Sequence, residues 1–210
     1  NNGALATLAA PFIAAAPPAG AVVYLDPARY AVLERSTRAA VELFREENIP
    51  LQTEDSKLGQ QYDEINGAMM VDFQGEERTM PQMARFVQFT DRSVRESAWS
   101  AIVQRRYVDH ERIDDLFDQM IKLRHQVAIN AGHENFMEYA FASMHRFDYS
   151  PADCQQFHQA AREICVPVYH TLNAERTSAL GVDTLRPWDL DVDVQGRDPL
   201  RPFENADQMV

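Results

Sequence analysis

Cysteine is scarce in this chain, and so are glycine, basic charge and any long apolar run free of proline; each shortage removes a class of protein. Only Cys154 and Cys165 occur in 210 residues, and eleven residues apart in a stretch read as helix their Cα atoms would stand about 16 Å apart. A disulfide needs less than about 7 Å, so a disulfide-stapled miniprotein is excluded and a reducing, cytoplasmic location is expected. The eight glycines never fall in G-x-G-x-x-G or G-x-x-x-x-G-K order, which leaves nucleotide binding unsupported. Against 32 Asp+Glu there are only 20 Lys+Arg, a formal net charge of -12. A surface that acidic repels phosphate backbones and anionic lipid heads, so neither nucleic acid nor a membrane is expected as partner. Residues 1–25 carry no charge, yet Pro11, Pro17 and Pro18 would break a span of about 20 residues, and no basic n-region precedes them.

What is present is helical patterning. Asp26-Pro27 reads as an acidic N-cap with proline at the first helical position. Leu33, Thr37, Ala40, Val41 and Phe44 recur at helical spacing until Asn48-Ile49-Pro50, and Leu51, Leu58, Tyr62 and Ile65 repeat it as far as Asn66-Gly67, predicting two helices packed as a hairpin. Over 68–79 the period changes. Met69-Met70-Val71-Asp72-Phe73, a Gln74-Gly75 turn and Glu76-Glu77-Arg78-Thr79 predict one short β-hairpin. Thr79-Met80-Pro81-Gln82 has capping-box form and restarts a helix carrying Met83, Phe86 and Val87.

Asp91 caps a long helix with a stripe of Val94, Ala98, Ala101 and Ile102, and Arg92, Arg95, Glu96, Arg105 and Arg106 are assigned to its solvated face. The strongest amphipathic pattern runs from Ile113 through Phe117, Met120 and Val127, and closes at Ala131-Gly132 with Gly132 in the C′ role. A short helix through Phe136 and Tyr139 follows. Ser150-Pro151 then opens another, expected to bury Phe157, Ala160, Ala161, Ile164, Val168 and Leu172, to bend at Pro167 and to end at Gly181. In the last stretch, alternation of Leu190, Val192 and Val194 with Asp189, Asp191 and Asp193 predicts a strand with one wet acidic face. The organisation expected is thus an Ala/Pro-rich lead segment over 1–25, a helical lobe over 26–181 and a Pro/Asp-rich connection over 182–210.

No catalytic constellation emerges. His-Glu-x-x-His, which sets two zinc ligands one turn apart, is absent, because neither His110-Glu111 nor His133-Glu134 meets a second histidine. Glu-x-x-His is absent as well, the residues three before each histidine being Tyr107, Lys122, Asn130, Ala142, Gln155 and Pro167. The aspartates at 189, 191 and 193 mimic the start of a calcium loop, but Val194 stands where glycine is required and Leu200 where glutamate belongs. Cys154 and Cys165, with His158 and His170 near, lack a third orienting group and read as buried thiols. Arg105, Arg106, His145 and Arg146 read as solvated or salt-bridged.

Several segments in order resemble the amino-terminal half of the M3 family of zinc metallopeptidases, in its oligoendopeptidase F-like branch. They are Tyr62–Met69, Gly75–Thr79, Asp91–Trp99, Ala128–Phe136 with Tyr139, Arg146–Pro151 and Leu185–Leu190. The likeness runs over about 55–203, and the order and spacing of the blocks carry it. The resemblance implies a mainly α fold of stacked helical hairpins forming one lobe of a channel-type peptidase, with zinc on a His-Glu-x-x-His helix in a carboxy-terminal lobe. There the metal would lower the pKa of a bound water for attack on a peptide carbonyl. Ligands and base are expected beyond Val210, so no catalytic, cofactor-binding or metal-binding residue is assigned within 1–210. The partners implied are the catalytic lobe and oligopeptide substrates. The competing expectation is an all-helical peptide- or protein-binding scaffold without hydrolytic activity.

Overall fold

The computed structural model describes residues 26–197, 202–203 and 205–209; the lead segment 1–25, residues 198–201 (Leu200 among them), 204 and 210 lie outside the described residues. In chain order the elements are α1 (Pro27–Leu43), α2 (Asn48–Gly67), β1 (Met70–Phe73), β2 (Glu76–Thr79), α3 (Met80–Ala84) with a 3₁₀ turn at Arg85–Gln88, α4 (Arg92–Val108), α5 (His110–Asn130) and α6 (Phe136–Ser143). A last helical run comprises α7 (Pro151–Ala160), a π-helical turn (Ala161–Cys165) and α8 (Val166–Leu180), followed by a 3₁₀ turn at Pro187–Asp189. The fold is mainly α with one two-stranded sheet among the described residues. The chain divides into two compact units, Asn1–Asp55 with Ile121–Ser150, and Ser56–Met120 with Pro151–Val210.

In the first unit, Asp26 opens α1 as expected, its carbonyl accepting from the Tyr30 N–H. The Asn48-Ile49-Pro50 stop turns out to be a start: α1 ends earlier, at Leu43, and Pro50 sits in the first turn of α2, where a missing N–H costs nothing. α1 packs along α6, whereas the sequence paired it with α2. The core joins Leu43, Val127, Ala128, Ala131 and Tyr139. Asn48 is buried here and ties two helices together, its Nδ2 donating to the Val127 carbonyl at 3.0 Å while its Oδ1 accepts from Asn130 Nδ2 at 2.8 Å. Gly132, at φ 88°, lets His133 N–H reach back to the Ala128 carbonyl and close the end of α5.

In the second unit, β1 and β2 pair antiparallel with Met70 opposite Thr79 and Phe73 opposite Glu76. Gln74 and Gly75 both take positive φ, 58° and 79°, the hairpin turn whose twist matches the strands. The capping box forms as read: Gln82 N–H donates to Thr79 Oγ1, and Thr79 N–H to Gln82 Oε1. Asp91 caps α4 through the Ser93 and Val94 N–H groups, and these bonds, the Ser93 hydroxyl first, hold its carboxyl below the usual carboxylate range. Val71, Phe73, Met83, Phe86, Val87 and Ala98 make the core.

Three further expectations fail. No strand forms at 190–194, because the turn at Pro187–Asp189 directs the chain before alternation can act. Phe117, read as core, is exposed. From Pro151 to Leu180 no residue is buried, so Phe157, Ala160, Ala161, Ile164, Val168 and Leu172 are not the core residues expected. A π-helical turn stands immediately before Pro167, with Val166 N–H reaching the Ala161 carbonyl. Proline contributes no N–H of its own to the ladder.

Asn48→Ala should lower the free energy of unfolding by about 2 kcal/mol in urea melts, since it removes two hydrogen bonds to α5, one of them buried. Thr53→Ala, which deletes an exposed hydroxyl bonded only to the Ile49 carbonyl one turn earlier, should cost less than about 0.5 kcal/mol.

Candidate functional site

The most constrained group in the second unit is Asp189, whose side chain is wholly buried. Its position follows from local chemistry: Pro187 starts a tight 3₁₀ turn, and Asp189 Oδ2 accepts from the Arg186 N–H at 3.0 Å. Two guanidiniums from one side of α4 then converge on it. Arg92 is bidentate, Nε to Oδ1 at 3.0 Å and Nη2 to Oδ2 at 2.9 Å. Arg95 Nη2 reaches Oδ1 at 2.9 Å. Arg95 also donates Nε to the Trp188 carbonyl and Nη1 to the Phe89 and Thr90 carbonyls. Arg176 of α8 closes the cluster with Nη1 bonds to the Asp189 and Val192 carbonyls. The Arg92 hydrogen bonds outweigh the burial that opposes ionisation and pull the Asp189 carboxyl down to about 2. Trp99 and Trp188 pack at 5.3 Å beside it.

This overturns two sequence assignments. Arg95 belongs to the interior and not to a solvated face, and Asp189 is dry and not wet. The sequence signal is a pair of arginines one turn apart on α4 together with the aspartate of Trp188-Asp189, but charge periodicity alone assigns arginine to water. The two sequence blocks Asp91–Trp99 and Leu185–Leu190 meet at this cluster. Asp193 instead pairs with Arg197, which holds its carboxyl below the usual range.

The other residues singled out are dispersed. His110 stacks on Tyr107 and His145 on Phe147, while His133 Nδ1 lies 3.9 Å from Glu138. Arg105 pairs with Asp109, and Arg146 lies over the Phe141 ring. Cys165 is exposed and Cys154 half-buried, so neither is the buried thiol expected. Among the described residues no three His, Cys, Asp or Glu side chains come together as metal ligands. The donor set a zinc ion requires is therefore not assembled by them. No helix among the described residues is long and apolar enough to cross a membrane.

The remaining feature is the bare side of α7, the π turn and α8. Phe157 is 72% exposed and Ile164 67%, with Val168, Tyr169 and Leu172 open to solvent beyond them. Between α8 and the segment after the 3₁₀ turn runs a cleft of about 510 Å³ lined by Tyr169, Leu172, Ala179, Leu190 and Val194, with Arg176 at its wall. These large apolar side chains are exposed along the whole run, from Phe157 to Leu172.

Comparison with known proteins matches residues 85–204 to the model of Peptidase family M3. No curated protein matches the chain. Among solved structures, a Bacillus anthracis str. Ames protein assigned as an oligoendopeptidase F is similar at 28% identity and TM-score 0.75, over 79% of this chain and 31% of that one. PZ peptidase A, solved with an inhibitor, is similar at 26% identity and TM-score 0.75, over 78% of this chain and 29% of the other. An oligoendopeptidase F at 23% identity shares the fold, with TM-score 0.75 over 77% of this chain and 28% of its own. The chain thus spans less than a third of the length of these structures.

Asp189→Asn should cost roughly 3–5 kcal/mol in urea unfolding, because it leaves the buried Arg95 charge without a counterion. In the unaltered chain, Asp189 has a folded pKa of about 2, below the unfolded value of about 3.9, so its contribution is present in full above pH 4 or so. That contribution, on the order of 2 kcal/mol, falls away as pH drops through the folded value, and stability-against-pH curves of Asp189→Asn should lack it.

Proposed function

The chain belongs to Peptidase family M3, and from that premise we propose that it is the non-catalytic amino-terminal lobe of a zinc-dependent oligopeptidase, hydrolysing short peptides and limiting access to the active-site channel. In this reading residues 26–181 are the helical lobe and 182–210 lead toward a catalytic lobe that holds the zinc ligands and the general base. No residue among 1–210 acts on the peptide bond. The cytoplasm is the location proposed, on the grounds of the two unpaired cysteines.

One observation carries the reading. A family member that spans less than a third of its solved relatives leaves the helical run from Pro151 to Leu180 without a single buried residue. Phe157, Ile164, Val168 and Leu172 have the spacing of a core-facing helix. A side so patterned calls for a cover, and the catalytic lobe is the partner proposed for it. Leaving that side to water would forgo about 1.5–3 kcal/mol for each large apolar side chain that burial would recover.

Reading the gene onward from Val210 should reach His-Glu-x-x-His. The extended polypeptide should cleave a quenched fluorescent oligopeptide and lose that activity to a chelator, while the 210-residue chain with added zinc should not cleave. Ile164→Asp should leave the melting temperature of the 210-residue chain nearly unchanged, the side chain being exposed there, and should destabilise the extended polypeptide by about 2 kcal/mol or more. A stop codon soon after Val210, with stoichiometric peptide binding by the native product, would establish the scaffold reading in its place.

A further inference from the structure

The first unit holds a second concavity that the peptidase reading does not use, a cleft of about 220 Å³ between the end of α1, the start of α2 and the end of α6. Its walls are of two kinds. Ala40, Leu43, Phe44 and Ala142 supply an aliphatic and aromatic lining. Arg45 and Tyr139 supply hydrogen-bond donors that the protein does not fully spend.

Arg45 is half-buried and meets only backbone carbonyls: Nη1 donates to Glu42 and Phe44 at 3.0 and 2.7 Å, and Nη2 to Ala131 at 3.4 Å. Among the described residues no carboxylate pairs with it, and its Nε–H and second Nη2 hydrogen have no acceptor. Tyr139 is 8% exposed; its hydroxyl accepts from Gln52 Nε2 at 3.0 Å, and its own proton has no acceptor among the described residues. At the rim His145 holds φ 56°, a conformation uncommon for a residue with a Cβ, with its ring stacked on Phe147. Glu42, Glu46 and Glu47 carry exposed side chains at the same turn, so selection for an anion has to come from the donors inside the cleft and not from the field around it.

An unneutralised guanidinium and an unspent phenol donor beside a small apolar lining match a carboxylate on a compact aliphatic body. We propose that this cleft binds such molecules, of which the carboxy-terminal residue of a peptide and an N-acyl amino acid are the two sources. The guanidinium and the Tyr139 hydroxyl hold the carboxylate, and the side chain lies against Leu43 and Phe44. The site is independent of the reading given above, because none of its groups lies on the α7–α8 surface.

The test is a ¹⁵N-resolved NMR titration of the 210-residue chain. N-acetyl-leucine should shift amides at 44–45 and 143–145, with a dissociation constant on the order of 1 mM, as expected of so few atoms. Its amide, N-acetyl-leucinamide, keeps the body and loses the charge, and should bind at least about fivefold more weakly. Tyr139→Phe, which keeps the ring, should weaken N-acetyl-leucine by about threefold and leave the amide unaffected. Leu-Leu and acetyl-Leu-Leu separate the two sources: tighter binding than N-acetyl-leucine assigns peptide ends, and weaker binding assigns the single acyl amino acid. Equal affinity for acid and amide would overturn the proposal, as would shifts confined to other surfaces or the absence of shifts at about tenfold higher concentration. Those are the results expected if Arg45 serves only to bond the carbonyls at the helix ends.

Discussion

A carboxylate removed from water is tolerated only where positive charge and N–H donors meet it, and Asp189 is the point on which the second unit depends for that reason. Its oxygens accept from Arg92, Arg95 and the Arg186 backbone. Arg95 in turn is committed to the carbonyls of Phe89, Thr90 and Trp188. The segment after Gly181 is thereby fixed to α4 by charge and hydrogen bonds, with the Trp99–Trp188 pair as their apolar supplement. Removing the carboxylate would leave a buried arginine without a counterion, which is why one residue governs so much of the surrounding order.

The first unit is held by a different means. Asn48 is neutral and sits where the first turn of α2 meets the last turn of α5, and its side-chain amide ties the two through the Val127 carbonyl and the Asn130 side chain. Around it Leu43, Val127, Ala128, Ala131 and Tyr139 supply ordinary apolar burial. Polar groups thus set the geometry in both units, and apolar side chains supply the driving force. In this M3 family chain, which spans under a third of its solved relatives, α7 and α8 depart from that pattern, their large apolar side chains standing exposed.

Much of the fold was legible because short-range chemistry decides it. The cap at Asp91, the capping box of Thr79 and Gln82, the turn at Gln74-Gly75 and the left-handed glycines at 132 and 181 all lie where the residues indicated, since each depends on neighbours a few positions away. The blocks Asp91–Trp99 and Leu185–Leu190 were likewise visible as a family likeness, although nothing in either showed that they touch. At 190–194 alternation alone does not make a strand: the segment follows the 3₁₀ turn at Pro187–Asp189 and runs as bends and turns.

By itself, then, the amino-acid sequence determined the helices, the single hairpin, their caps and the membership of a peptidase family, all properties of local pattern. Tertiary structure alone decided which charges are dry. Arg95 and Arg106 look alike in sequence, yet one is buried and the other exposed, because burial of a guanidinium requires a carboxylate arriving from residues nearly a hundred positions away. Pattern also marked Phe157, Ile164 and Leu172 as a side to be covered, but only the fold showed it to be bare, since periodicity reports that a surface seeks a partner and carries no information on where that partner lies.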